Sequence, residues 1–177
     1  MYTSVIMLNT ELQQRLNAQI QHEAFASQSY LLMASWCEQR DLPGIAEYFY
    51  RSAEDERSHM LEFYRYLNGQ GGFARLETLP ASRDTFDNVL QLFEHTLQLE
   101  VGVSQSINEL AGYCQSSHQY AAFQFLQPFI AEQANSEKSV SELIAMIKRV
   151  GYEERNLYYL DKSFKKMATA NDAKAGA

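Results

Sequence analysis

Four stretches of the sequence carry apolar residues at alternating spacings of four and three, each over about 25–32 residues. This spacing places the apolar side chains along one side of an α-helix. Glycine and proline are scarce, at 8 and 3 of 177 residues, so little interrupts the helical segments. The sequence therefore predicts an all-α bundle in which four unusually long helices bury their apolar sides against one another.

Capping and helix-breaking residues mark where these helices begin and end. Asn9 or Thr10 is a good cap for the first helix, and Pro43 stands in the first turn of the second, where proline is tolerated. The expected helix ranges are about 9–38, 43–68, 82–115 and 120–150, with a short fifth helix at about 154–167 and a disordered tail at about 168–177. We expect a single domain, 1–177, with the four-helix bundle at about 9–150.

The connection between the second and third helices is much longer than the others. It covers about 70–83 and carries three apolar residues that can hold it to the surface, Phe73, Leu76 and Leu79. Fourteen residues extend to about 45 Å, and a 27-residue helix is about 40 Å long. The connection can therefore cross the whole bundle and leave the second and third helices parallel.

Charge and cysteine content exclude several classes of function. With 15 basic and 22 acidic residues the net charge is −7, which argues against nucleic acid or an anionic membrane as partner. No apolar run reaches about 18 residues, and the N-terminus lacks the features of a signal peptide. Cys37 and Cys114 form no CxxC pair and fall among apolar neighbours, which predicts buried free thiols. We therefore expect a cytoplasmic location.

Polar residues interrupt all four apolar seams near their middles. They are Glu23 in the first helix, Glu56 and His59 in the second, Glu100 in the third, and Gln133 with Ser136 or Glu137 in the fourth. An unpaired carboxylate in an apolar interior costs several kcal/mol, and three together would also repel one another. No lysine or arginine shares these seams. Raised pKa values or bound cations remain, and cations are the more economical explanation.

The set of donors indicates which metal would bind. Three carboxylates and one imidazole suit iron or manganese better than structural zinc. Glu56 and His59 are three residues apart and share a helix face, so they can bind one ion or two adjacent ions. Two alternatives remain open: a di-iron peroxidase or oxygenase that works as a small oligomer, and a metal-free bundle that acts as an interaction module.

Several segments resemble one known family. They are LNAQIQHEAFASQSYLLMASWC, SAEDERSHM, LEVGVSQSINELA, FQFLQPFIAEQ and YYLDK. Together they are similar to the non-haem bacterial ferritins over nearly the whole chain. The resemblance implies a ferritin-like four-helix bundle with one long crossover and a short fifth helix. It also implies a hollow homo-oligomeric shell of 24 subunits that oxidises Fe(II) with O2 (or H2O2) at an intrasubunit di-iron ferroxidase centre and stores ferric mineral.

Residue by residue, the resemblance implies a first iron held by Glu23, Glu56 and His59. Glu56 would bridge to a second iron held by Glu100, with Gln133 near its bound oxygen species or water. Tyr30 would lie beside the centre, where it supplies an electron or donates a hydrogen bond to a ligand; alternatively, it is a core tyrosine with a satisfied hydroxyl.

The fourth helix departs from symmetric di-iron proteins. Those proteins carry a second E-x-x-H there, whereas this chain has Gln133-Ala134-Asn135-Ser136, which predicts a more weakly bound second iron. Glu137 is a further candidate iron ligand, or else a solvated or intersubunit carboxylate.

Two other sites are judged by the same resemblance. Asp55 and Glu132 match two ligand positions of the family's third iron site, but Asn135 and Ser136 replace carboxylates, which leaves that site open. Arg57 stands where bacterioferritin has its haem-ligating methionine, so we expect no haem.

Overall fold

The computed structural model describes residues 8–175, and the side chains among them as far as Thr169. These residues form five α-helices and no β-strand. The helices are α1 (Thr10–Glu38), α2 (Pro43–Gly69), α3 (Val89–Ser116), α4 (Tyr120–Val150) and α5 (Glu154–Ala175). The all-α prediction is confirmed. No helix among residues 8–175 is long and apolar enough to span a membrane.

Side-chain caps explain where α1 and α3 begin. Asn9 accepts a hydrogen bond from the Leu12 N–H at 2.7 Å, which agrees with the predicted start of the first helix. Asn88 accepts one from the Gln91 N–H at 2.9 Å, so α3 begins at Val89. The predicted start near residue 82 is wrong: Ser82 accepts a hydrogen bond from the Ser29 hydroxyl at 2.9 Å and belongs to the connection.

The fifth helix is longer than predicted. Its expected end near residue 167 is wrong, because α5 continues to Ala175. The segment from Ala168 to Ala175 is rich in alanine and contains neither glycine nor proline, and alanine has the highest helix propensity. Of the predicted disordered tail, 176–177 lie outside the described residues.

The long connection, 70–88, is held along α1 by side-chain amides. The backbone N–H groups of Phe73, Arg75 and Glu77 donate to side-chain oxygens of Gln13, Asn17 and Gln21 at 3.0, 2.8 and 3.0 Å. The Asn17 and Gln21 amides also donate back to backbone carbonyls of the connection. The three α1 residues are spaced by four, so they form one polar stripe on the helix.

Two of the three predicted apolar anchors are exposed, and the third, Leu79, is half-buried. Phe73 is 64% exposed and Leu76 is 42% exposed. Amide-to-backbone hydrogen bonds satisfy the polar groups of an extended segment that no sheet pairs with, which apolar side chains cannot do. The path of the connection is nevertheless the one predicted.

The direction of the connection establishes the order of the helices. It passes Gln13 first, then Gln28 and Ser29, and finally places Phe86 against Trp36 with ring centroids 5.8 Å apart. It therefore runs from the start of α1 to its end, and α3 begins at the same end of the bundle as α2. The predicted parallel arrangement of α2 and α3 agrees with this path, while short turns make α1–α2 and α3–α4 antiparallel.

Helix α5 packs on α2 and caps its first turn. The residue before α2, Leu42, has no capping side chain, and Asp161 of α5 instead accepts a hydrogen bond from the Ile45 N–H at 2.9 Å. A carboxylate at this position also interacts favourably with the helix dipole. Gly44 permits the contact, because a Cβ there would overlap the backbone carbonyl of Asp161. Cys37 and Cys114 are buried and unbonded, as predicted.

Gly44→Ala should loosen α5 without unfolding the bundle. The added methyl group forces α5 away from α2, at a cost of about 1–3 kcal/mol, the range for overpacked contacts. Hydrogen exchange of α5 amides should accelerate while that of α1 stays unchanged.

Gly112→Ala is the matched control, since a Cβ at this exposed α3 position meets nothing within 4 Å. It should stabilise the protein by roughly 0.5–1 kcal/mol through helix propensity. Equal α5 exchange in Gly44→Ala and wild type would contradict the proposed packing.

Candidate metal centre

The polar interruptions of the four seams meet inside the bundle. Glu23 comes from α1, Glu56 and His59 from α2, Glu100 from α3 and Gln133 from α4. The fractional exposures are 0% for Glu23, 5% for Glu56, 6% for Glu100 and 4% for Gln133. We call these five residues the candidate centre.

Three members of the candidate centre lie close enough to bind one ion. Glu23, Glu56 and His59 each offer a ligand atom, and these atoms lie within 4.8 Å of one another. His59 Nδ1 is 3.4 Å from Glu56 Oε2, as the i, i+3 spacing requires. His59 Nε2 is 3.3 Å from Glu132 Oε1. The structure therefore brings together the residues predicted to hold the first iron.

Glu100 lies outside that group of three and has its own partners. The Tyr30 hydroxyl donates a hydrogen bond to Glu100 Oε1. The Gln133 side-chain amide is 3.4 Å from Glu100 Oε2 and 3.3 Å from the Glu100 backbone carbonyl. Tyr30 thus has a satisfied hydroxyl, and its partner is a candidate ligand.

Burial raises the pKa of these carboxyl groups and so favours their protonated forms when no cation is bound. Burial, followed by the charge of Glu56, raises the pKa of Glu23 well above its usual value. Burial raises the pKa of Glu56 to about 7, and the charge of Glu100 adds to the effect. Burial also raises the pKa of Glu100, although the Tyr30 and Gln133 hydrogen bonds oppose it. Each of the three buried carboxyl groups is therefore more stable when a proton or a cation neutralises its charge.

A cavity of about 310 Å³ adjoins the candidate centre between α2, α3 and α4. It is lined by Glu56, His59 and Glu100 of the candidate centre and by Tyr48, Ser52, Asp55, Glu132, Asn135, Ser136, Ser139 and Val140. None of these lining residues is a lysine or arginine. The cavity offers oxygen atoms and one imidazole, and no lysine or arginine lines it as a partner for the carboxylates.

The other residues named from the sequence fall around this cavity. Asp55 and Glu132 line it, as do the Asn135 and Ser136 that replace carboxylates of the family's third site. Glu137 is half-buried and does not line the cavity, but its charge contributes to the raised pKa of Glu100.

Arg57, which stands at the haem-ligand position, is exposed and lies 3.3 Å from Glu54. Its guanidinium therefore has a surface carboxylate as partner, on a different face of α2 from Glu56.

Sequence reasoning missed two polar residues beside Glu23. Gln19 is 0% exposed, and its amide donates to Glu23 Oε1 at 2.7 Å. The Ser106 hydroxyl of α3 donates to Gln19 Oε1 at 2.6 Å. Gln19 stands four residues before Glu23, on the same helix face, which is the signal that would have found it.

The atoms of the candidate centre fit a divalent iron ion. Glu23 Oε2 is buried and accepts no hydrogen bond from the described residues. A hydrogen bond from protonated Glu23 to Glu56 helps to raise the pKa of Glu23, so the two carboxyl groups lie together with a place for one positive charge between them. A cation in that place would neutralise both carboxylates at once, and a mostly carboxylate set with one imidazole suits iron.

Comparisons with known proteins agree with this geometry. The model of the ferritin-like domain family matches residues 13–150. The bacterial non-heme ferritin of Escherichia coli O6:H1 is 31% identical over 165 residues, which cover 93% of this chain and 100% of that protein. The bacterial non-heme ferritin of Staphylococcus saprophyticus is 32% identical over 156 residues, covering 88% and 93%.

Solved structures show the same fold. The open-pore ferritin of the archaeon Archaeoglobus fulgidus superposes with a TM-score of 0.86 at 27% identity, over 90% of this chain and 98% of that one. A humanized archaeal ferritin matches with the same TM-score at 26% identity, over 90% and 96%. This chain therefore belongs to the bacterial non-heme ferritin family, as shown by sequence similarity over nearly its full length, and the shared bundle and the buried group of Glu23, Glu56 and His59 agree with this.

Proposed function

We propose that this protein is a ferroxidase and iron store. It binds two Fe(II) ions per subunit as substrates at the candidate centre and oxidises them with O2. The resulting ferric mineral is held inside a shell of 24 subunits. The observation that carries this proposal is the convergence of the buried Glu23, Glu56 and Glu100 from three helices, beside a cavity that Glu56 and Glu100 line and that no lysine or arginine lines.

Each side chain has a part in binding the substrate ions. Glu23, Glu56 and His59 hold the first Fe(II), and Glu56 bridges to the second. Glu100 holds the second ion, and Gln133 lies beside it. Tyr30 donates to Glu100 Oε1 and orients that carboxylate. Because Gln133 replaces a charged ligand, the second ion binds more weakly than the first.

Oxidation follows from the charge of the ligands. Two Fe(II) ions each give one electron, and with two protons they reduce O2 to H2O2. Carboxylates stabilise Fe(III) more than Fe(II), so the anionic site favours electron loss. A second iron that is weakly held suits release of the product toward a store and suits an oxygenase with a permanent cofactor less well.

Glu56→Gln should abolish rapid Fe(II) oxidation. The substitution keeps the shape of the side chain but removes the bridging charge, so the initial rate of aerobic Fe(II) oxidation should fall by at least about 100-fold, the upper end of the loss seen when a mere supporting partner is removed. Glu62→Gln, on the exposed side of α2, is the matched control and should keep the wild-type rate.

The same variant tests the metal-free interpretation. Without metal, Glu56→Gln should unfold at a higher denaturant concentration than wild type, since it removes a buried charge. A wild-type protein that oxidises Fe(II) no faster than buffer does, and retains only stoichiometric iron, would refute the ferroxidase.

Divalent cations should displace protons from the candidate centre. The raised pKa values of Glu23 and Glu56 favour their protonated forms in the metal-free protein at about pH 6, and Zn(II) must displace those protons when it binds. At about pH 8 Glu56, with a pKa of about 7, is mostly ionised, so fewer protons leave and Zn(II) binds more tightly. Calorimetry in buffers of different ionisation enthalpy measures the number of protons released when Zn(II) binds. Equal release at both pH values would mean that these carboxyl groups do not bind the ion.

The oligomeric state separates storage from a small di-iron enzyme. A shell of 24 copies of a 20.3-kDa chain has a mass of about 490 kDa, which native mass spectrometry resolves. A peroxidase or oxygenase of this family of folds would give a dimer or another small assembly. A stable dimer at micromolar concentration, with no larger species, would contradict the storage shell.

A further inference from the structure

Two polar side chains form a hydrogen-bonded chain that ends on Glu23. Ser106, half-buried on α3, donates its hydroxyl to Gln19 Oε1 at 2.6 Å. Gln19, fully buried on α1, donates its amide to Glu23 Oε1 at 2.7 Å. The chain therefore links two helices and reaches the candidate centre at one carboxylate oxygen.

The chain has a defined direction. Glu23 Oε1 accepts the hydrogen bond, so the amide nitrogen of Gln19 faces Glu23 and the amide oxygen faces away. The Ser106 hydroxyl donates to that oxygen and holds the amide in this orientation. The reversed amide would set its oxygen against Glu23 Oε1, two acceptors facing each other at hydrogen-bond distance.

The two oxygens of Glu23 are thereby made different. Oε1 accepts the Gln19 amide, whereas Oε2 is buried and accepts no hydrogen bond from the described residues. The atom that is left without a donor is the one available to a cation. A buried amide is costly unless it is hydrogen-bonded, so an apolar side chain would fill this position at lower cost if packing were its only role.

We propose that Gln19 and Ser106 are positioning residues that orient the Glu23 carboxylate for Fe(II), with Ser106 acting through Gln19. This inference rests on the proposed function. Neither residue touches the ion. Gln19 fixes the rotation of the carboxylate, and Ser106 fixes the rotation of the amide. Partners that orient a metal ligand in this way are typically worth about 10–100-fold in metal affinity.

The test uses Co(II) under anaerobic conditions as a probe that is not consumed. Gln19→Met keeps the length of the side chain and removes the donor. Ser106→Val and Ser106→Thr form a matched pair of nearly equal shape, of which only threonine keeps the hydroxyl. Calorimetry gives the affinity of the intact metal-free protein, the visible spectrum of bound Co(II) reports its coordination geometry, and Fe(II) oxidation gives KM and kcat.

Gln19→Met should weaken Co(II) binding by about 10–100-fold and change the visible spectrum. Ser106→Val should change both in the same direction by a smaller factor, and Ser106→Thr should match wild type. The KM for Fe(II) should rise more than kcat falls, because the substitutions misplace a ligand of the substrate ion. Loss of packing alone would not make threonine and valine differ.

Two results would overturn the inference: wild-type Co(II) affinity and spectrum in Gln19→Met, or equal weakening by Ser106→Thr and Ser106→Val. If Gln19→Met fails to fold, the Ser106 pair decides. Failure of the proposed function looks different, because the wild-type protein itself would then bind no Co(II) and oxidise no Fe(II), and both proposals would fall together.

Discussion

The structure depends on how the charge of three buried carboxyl groups is neutralised. Glu23, Glu56 and Glu100 are almost fully buried, and each has a raised pKa for which burial is the first cause. Long apolar seams above and below the candidate centre stabilise a bundle that carries this cost in its middle. Protons neutralise the carboxyl groups in part, and a divalent cation does so more completely. The side chains that cost folding stability are thus the same ones that we propose bind iron.

The two sides of the candidate centre are built differently. Between α2, α3 and α4 lies the polar cavity, whose lining includes Asp55 and Glu132. Between α1 and α3, Gln19 and Ser106 occupy the interior with hydrogen bonds of 2.7 and 2.6 Å. One side therefore leaves an open polar cavity, while on the other side hydrogen bonds hold the Glu23 carboxyl group in place. A carboxylate held rigidly on one side and open on the other is suited to repeated binding and release.

Periodicity predicted most of the fold and the charged part of the candidate centre. Glu23, Glu56, His59 and Glu100 stand out because charged residues in an apolar seam break a strong pattern. Gln19 is harder to find, because glutamine is common on helices and its spacing of four before Glu23 is a weak signal by itself. Its hydrogen bonds to Glu23 and from Ser106 of α3 are visible only in the structure. The predicted start of α3 and the predicted end of α5 are wrong for a similar reason: an asparagine cap at Asn88 and an alanine-rich helix end are weaker signals than the apolar repeat.

The polar stripe of α1 fixes the register of the long connection along that helix. Gln13, Asn17 and Gln21 follow one another at intervals of four residues, which is about 6 Å along a helix. The connection residues bonded to them, Phe73, Arg75 and Glu77, follow one another at intervals of two residues, which is about 6.6 Å in an extended chain. Because the two repeats are nearly equal in length, the long connection cannot shift by one residue along α1 without losing all three hydrogen bonds. These hydrogen bonds to α1 therefore help to set the position at which α3 begins along the axis of the bundle. That position in turn sets where Glu100 lies along the bundle relative to Glu23.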